Sequence, residues 1–139
     1  MEFYMNSSLR VLVVEDEPGI GMLCARTLAR EGFDITITTN GILAKDIIDN
    51  DHNFDICLID IRIPLLNGME LYNYMEKEHG EMTNSVIFTT GDLLSGKIEE
   101  FLRTTQRPCL NKPFIADELK EVIRKTLEKK GNSLALNKL

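Results

Sequence analysis

The chain alternates repeatedly between two patterns of polarity. Val11-Leu12-Val13-Val14 is a short unbroken apolar run, as a strand covered by helices on both faces requires. Pro18 stands where a helix can begin. Ile20, Leu23, Cys24 and Leu28 then recur at helical spacing, and Gly32 ends the pattern. Residues 34–39, DITITT, alternate like a strand with one wetter face, which places it at a sheet edge. Asn40-Gly41 breaks it, and Leu43, Ala44, Ile47 and Ile48 form the next helical stripe. Residues 55–60, DICLID, predict a third strand. A loop with Pro64 and Gly68 leads to a helix carrying Leu71, Tyr72 and Met75. SVIFTT (85–90) predicts the fourth strand, and Leu94, Ile98, Phe101 and Leu102 the helix after it. PCLN (108–111) is a short fifth strand, followed by a helix through Ile115, Leu119, Val122, Ile123 and Thr126 up to Gly131.

Five strands alternating with five helices imply crossover connections, hence an α/β fold with a parallel sheet wound on both faces. The expected unit spans 9–130, with an N-terminal extension at 1–8 and a short tail at 131–139. At 139 residues the chain suits one domain. No repeat or linker divides it.

Sites in open parallel sheets form outside the carboxyl ends of the strands. The first strand exits on Glu15-Asp16-Glu17, the third on Asp60, the fourth on Thr90 and the fifth on Lys112-Pro113. Asp60 ends an apolar run, and desolvating a carboxylate is costly without a compensating cation or hydrogen bond. Crowded carboxylates repel one another, and a hard divalent cation such as Mg2+ relieves this with oxygen ligands. Lys112 adds a positive charge and Thr90 a hydroxyl. A nucleophilic carboxylate, a metal, a cation and a hydroxyl donor are the parts for phosphoryl transfer to a carboxylate. For Glu17 the expected role is only that of an acid at a helix start, favoured by the helix dipole.

Charge narrows the partners. The net charge is -6, from 16 basic and 22 acidic residues. No basic cluster interleaves with aromatics, so direct nucleic-acid binding is not expected. No apolar run approaches the roughly 20 residues of a membrane span. The start, MEFYMNSSLR, has no basic stretch leading into an apolar core. A soluble cytoplasmic protein, without membrane association, is the resulting expectation. Cys24, Cys57 and Cys109 are widely spaced and read as reduced core thiols.

The segments VLVVEDEP (11–18), DICLIDIRIPLLNG (55–68), VIFTTGD (86–92) and LNKPF (110–114), in this order and spacing, resemble the receiver domain of two-component response regulators. The resemblance implies a flavodoxin-like fold with strand order 2-1-3-4-5. It implies Asp60 as phosphoacceptor, with Glu15, Asp16, Asp60 and the backbone carbonyl of Arg62 around Mg2+. Thr90 would hydrogen-bond a phosphoryl oxygen and Lys112 would pair with it. The peptide before Pro113 is often cis in this family. The implied partners are a sensor histidine kinase or histidine phosphotransfer protein and a downstream protein of unknown identity, with a homodimer possible through the helix-four to helix-five face. Such a domain catalyses its own phosphoryl transfer without being a conventional enzyme. The chain stops soon after its fifth helix, so a stand-alone receiver or an excised piece is expected, and Met1 favours the former.

Two positions depart from the family pattern. Receivers often have aspartate where Glu15 stands, and glutamate is one methylene longer. They often have Tyr or Phe where Cys109 stands, so switching through an inward-swinging ring is not expected. Activation is then expected to move Thr90 and the loop after it, with a smaller change at Cys109. Arg62 and Asp92 lie two residues beyond Asp60 and Thr90, and are expected to form a half-exposed ion pair across the pocket mouth, restricting water. Two other readings compete. One is an unphosphorylated pseudo-receiver that only binds a partner. The other is a phosphatase resembling the haloacid dehalogenases, against which Ile61-Arg62 lacks the second aspartate of that family's nucleophile motif.

Overall fold

A computed structural model describes residues 8–93 and 95–131. Leu94 and both predicted terminal extensions, apart from Ser8 and Gly131, lie outside the described residues. The strands are β1 (Arg10–Val14), β2 (Asp34–Thr38), β3 (Ile56–Asp60), β4 (Val86–Thr90) and β5 (Cys109–Asn111). The helices are α1 (Pro18–Arg30), α2 (Gly41–Asn50), α3 (Gly68–Glu78), α4 (Gly96–Thr105) and α5 (Ala116–Lys129). A 3-10 helix, Gly80–Ser85, joins α3 to β4 and was not legible in the polarity pattern.

The five strands form one parallel sheet in the order β2-β1-β3-β4-β5. β2 is an edge strand, as its alternation predicts. Strand residues point alternately to two faces, and the core divides accordingly. Leu12, Val14, Cys57, Ile59, Val86 and Phe88 meet α2, α3 and α4 through Ala44, Ile48, Leu71, Met75 and Ile98. Val11, Val13, Ile56, Leu58, Ile87 and Leu110 meet α1 and α5 through Cys24, Leu28, Leu119, Ile123 and Leu127. Each face is buried by helices, which is why β1, β3 and most of β4 are continuously apolar.

Two glycines set the end of the sheet that carries the strand exits. A Cβ on Gly68 would stand 2.6 Å from the carbonyl oxygen of Asp60. A Cβ on Gly41 would stand 1.8 Å from the carbonyl oxygen of Leu66. Both allow a helix N-terminus to approach the β3–α3 loop closely. Local caps reinforce this: Asn40 Oδ1 accepts from Leu43 N at 2.8 Å, and Asn67 and Glu70 form a reciprocal capping box on α3.

Some expectations shift. Leu43, placed on the buried stripe of α2, is 49 % exposed, and Ile37 of β2 is 43 % exposed. Leu43 lies in the first turn of α2, and its side chain is turned away from the packed face. Cys24 and Cys57 are buried and unpaired, whereas Cys109 is only half-buried. Among the described residues no helix is long and apolar enough to cross a membrane.

Candidate functional site

The carboxyl ends of β1, β3, β4 and β5 meet at one edge of the sheet. The ladder fixes their register: Glu15 N donates to Thr38 O at 3.0 Å, Ile61 N to Thr89 O at 3.0 Å, and Lys112 N to Thr90 O at 2.8 Å. These bonds hold Glu15, Asp60, Thr90 and Lys112 at the rim, although they come from distant parts of the sequence. The Lys112-Pro113 peptide is cis, in agreement with the sequence reading.

Glu15 and Asp60 are each 4 % exposed. Their charges are compensated by one ammonium group. Lys112 Nζ lies 3.0 Å from Asp60 Oδ2 and 2.9 Å from Glu15 Oε1. It also lies 3.2 Å from Glu17 Oε1. Glu15 receives a further bond from Glu17 N, at 3.1 Å. Burial pushes the Glu15 carboxyl up, and the hydrogen bond from Lys112 opposes that shift. For Lys112, burial acts downward, but the hydrogen bonds to Glu15 and Asp60 outweigh it and raise the pKa, holding the ammonium charged.

Glu15, Asp16 and Asp60 each offer a carboxylate oxygen within 4.8 Å of the others. Asp16 is exposed, so this trio opens to solvent on one side. Oxygen donors with one open side fit a hard cation that retains waters, such as Mg2+. Arg62 enters through its backbone N–H, which donates to Asp60 Oδ1 at 3.3 Å.

Thr90 is fully buried, and its Oγ1 accepts from Asp92 N at 3.1 Å. That leaves its hydroxyl proton to donate elsewhere. The Arg62 guanidinium and the Asp92 carboxylate form an ion pair, with side chains 63 % and 40 % exposed. It borders a cavity of about 440 Å3 whose lining includes Glu17, Asp60, Arg62, Asp92 and Lys112. Cys109 stands apart. It pairs with Phe88 in the β4–β5 ladder, and burial pushes its thiol up to about 11. A thiol held protonated is a poor nucleophile, which weighs against redox chemistry there.

The structure adds two residues to those the sequence suggested. Glu17 occupies the N-cap position of α1 but makes no side-chain cap; its carboxylate goes to Lys112 instead. Three acids in a row were the visible signal, but only the fold reveals which of them turn toward Lys112. Thr89 is the ladder partner of Asp60, is 2 % exposed, and its Oγ1 has no hydrogen-bond partner. The sequence reading takes Thr90, the last residue of the strand, as the exit and gives Thr89 no role.

Comparison with known proteins agrees with this geometry. The sequence profile of the response regulator receiver domain matches residues 11–124. Sporulation initiation phosphotransferase F of Bacillus subtilis is 28 % identical over 123 residues, covering 88 % of this chain and 97 % of that protein. Seven other curated relatives are longer proteins, and the chain spans between 8 % and 58 % of their lengths. A CheY-like response regulator receiver domain protein from Methanospirillum hungatei superposes with a TM-score of 0.80 at 26 % identity, covering 90 % of this chain and 98 % of the other. The receiver domain of sensor histidine kinase PA1611 from Pseudomonas aeruginosa, with a magnesium ion coordinated in its active site cleft, gives 0.77 at 26 % identity over 88 % of this chain and 99 % of its own. Four strand exits, Asp60 among them, meeting at one rim and a profile match over most of its length place this chain in the response regulator receiver domain family of two-component signalling.

Proposed function

We propose that the unit over residues 9–130 accepts a phosphoryl group on Asp60 from a histidine kinase or a histidine phosphotransfer protein. The observation that carries this reading is the single ammonium of Lys112, 3.0 Å from the buried Asp60 carboxylate, with Glu15 and Asp16 alongside. Asp60 attacks phosphorus, a P–O bond forms, and the P–N bond to the donor histidine breaks. Lys112 stays beside the carboxylate oxygen and balances the charge that arrives. Thr90 donates its free hydroxyl proton to a phosphoryl oxygen. Glu15, Asp16, Asp60 and the Arg62 backbone carbonyl would hold Mg2+, which when bound would neutralise charge on the transferring group. The Arg62–Asp92 pair narrows the approach for water and lengthens the life of the acyl phosphate.

Phosphorylation then shifts a two-state equilibrium read at the α4, β5 and α5 surface by a downstream protein. With Cys109 in place of a large ring, the change centres on Thr90 and the loop that follows. The relatives support a phosphorelay: one is named a phosphotransferase, and a hybrid signal transduction histidine kinase of Dictyostelium discoideum is 31 % identical over 140 residues. A binding module that is never phosphorylated is not favoured, because Asp16, Asp60, Thr90 and Lys112 are all present at the rim.

The test is phosphorylation by acetyl phosphate or phosphoramidate with Mg2+, read by intact mass. One added phosphoryl group that requires Mg2+ and is absent in Asp60→Ala supports the proposal. A folded protein that gains no mass under these conditions refutes it.

A further inference from the structure

The sequence contains only two histidines, His52 and His79, and the fold lays one against the other. Their ring centroids are 4.4 Å apart, with planes inclined by 37°. They come from different elements: His52 follows the end of α2, and His79 is the C-cap of α3. This end of the sheet is opposite the phosphoacceptor rim, and the proposed reaction uses neither residue.

A neutral imidazole has one N–H and one lone pair. Here the neighbours decide which nitrogen holds which. His52 Nδ1 lies 2.5 Å from the carbonyl oxygen of Ile48, and His79 Nε2 lies 2.8 Å from Asp49 Oδ1. Carbonyl and carboxylate oxygens only accept, so both of these nitrogens carry the proton. The lone pairs therefore sit on His52 Nε2 and His79 Nδ1. Metal-binding histidines are prepared in the same way, with the far ring N–H donated to a carboxylate or a backbone carbonyl. Asp49 is itself held, by Tyr74 Oη at 2.5 Å and Lys45 Nζ at 3.4 Å.

Size and charge agree. Two imidazoles on one ion, at metal–nitrogen distances of about 2.0–2.1 Å, have centroids about 4.5–5 Å apart, within a few tenths of an ångström of the spacing seen. The C-terminal ends of α2 and α3 present carbonyl oxygens and partial negative charge, which favour a cation. Glu81, two residues after His79, borders the same open cavity of about 720 Å3 and has no hydrogen-bond partner among the described residues. Lys130 also borders it, but its ammonium is directed to Asp55 O and Ser85 Oγ, each at 2.7 Å. No third carboxylate or thiolate stands close to both rings among the described residues, so Glu81, after a side-chain rotation, or water must complete the shell.

We propose that His52 and His79 form a second cation site, selective for a borderline transition metal such as Zn2+, Ni2+ or Cu2+, which fastens the end of α2 to the end of α3. Nitrogen donors separate it from the all-oxygen trio at the other end of the sheet, where Mg2+ fits.

The experiment titrates Zn2+, Ni2+ and Cu2+ separately into the 15N-labelled chain. Millimolar Mg2+ is present throughout to occupy the acidic trio. Affinity is read by calorimetry and location by the imidazole resonances. The expected result is one equivalent bound, Cu2+ most tightly, with perturbation centred on both rings. His52→Gln and His79→Gln each weaken binding at least tenfold, and Asp49→Asn weakens it about 10–100-fold by releasing the His79 ring. Asp16→Asn and Cys109→Ala retain it. His52 is exposed, so His52→Gln leaves the packing in place, and its circular dichroism checks this. Undiminished affinity in His52→Gln overturns the proposal. So does loss of binding only in Asp16→Asn or Cys109→Ala, or the lack of any saturable binding with metal in excess.

Discussion

Replacing Lys112 with Met keeps the length of the side chain and removes its charge. Glu15 and Asp60 then stay buried, with side chains 3 % and 5 % exposed, and lose their shared cation. Breaking a buried ion pair from one side costs about 3–5 kcal/mol. Protonation limits that cost. A carboxyl with an ordinary value of 4.5 can escape an unfavourable charge at pH 7 by taking up a proton, for about 3 kcal/mol. At pH 5 the same escape costs under about 1 kcal/mol. The sign follows from linkage. In the variant the folded pKa lies above the unfolded one, so stability is highest below the unfolded value and falls as pH rises through the folded value. Lys112→Met is therefore expected to lose about 3–5 kcal/mol at pH 7, without divalent cation, and only about 1–2 kcal/mol at pH 5. Urea denaturation at the two pH values measures both deficits, and added Mg2+ should recover part of the loss at pH 7. An equal deficit at both pH values, or one below about 1 kcal/mol at pH 7, refutes the reasoning that Lys112 compensates buried charge.

Thr89→Val removes a buried hydroxyl that has no partner, so it should stabilise by about 1–2 kcal/mol and raise Tm by about 3–8 °C; a fall in Tm by calorimetry would mean that the hydroxyl has a use. Gly41→Ala forces a methyl against Leu66 O, 1.8 Å from the ideal Cβ position, and should cost about 2 kcal/mol or more in chemical denaturation. Arg62→Ala should alter stability by less than about 1 kcal/mol while hastening loss of phosphate, followed by mass after the phosphodonor is removed; an unchanged rate would remove the gate from the mechanism. Asp49 is held down to about 2, first by Tyr74 and then by His79. Its contribution is present above its ordinary value of 3.8 and is lost as pH falls through about 2, which carboxyl carbon NMR would follow together with release of the His79 ring.

Most of the fold was legible because burial on both faces leaves continuous apolar runs, and helices between parallel strands leave a helical period. The strand exits were legible because charge at the end of such a run is conspicuous, as at Asp60. Other features depend on contacts that no local pattern encodes. Leu43 belongs to an apolar stripe by spacing, but it lies in the first turn of α2, away from the packed face. Glu17 is one of three adjacent acids, and only the position of Lys112, 95 residues later, separates it from an ordinary helix-start acid. Thr89 and Thr90 are neighbours of identical type; the β3–β4 register places one beside Asp60, and the turn after β4 gives the other its Asp92 bond. The two histidines are 27 residues apart, at no spacing that suggests a pair, until α2 and α3 lie side by side.

The ammonium of Lys112 joins partners 97, 95 and 52 residues away. Contacts so distant in sequence close late, because the entropy of the intervening loops has to be lost before they form. The rim thus has no partly assembled version: a chain emerging from the ribosome with β1 and β3 folded holds the aspartate but lacks the cation that sits opposite it. On the proposed function, competence to receive a phosphoryl group arrives only when β5 has docked. The proposed chemistry would then report on the completeness of its own polypeptide, and a truncated or misassembled copy would be silent rather than wrongly active.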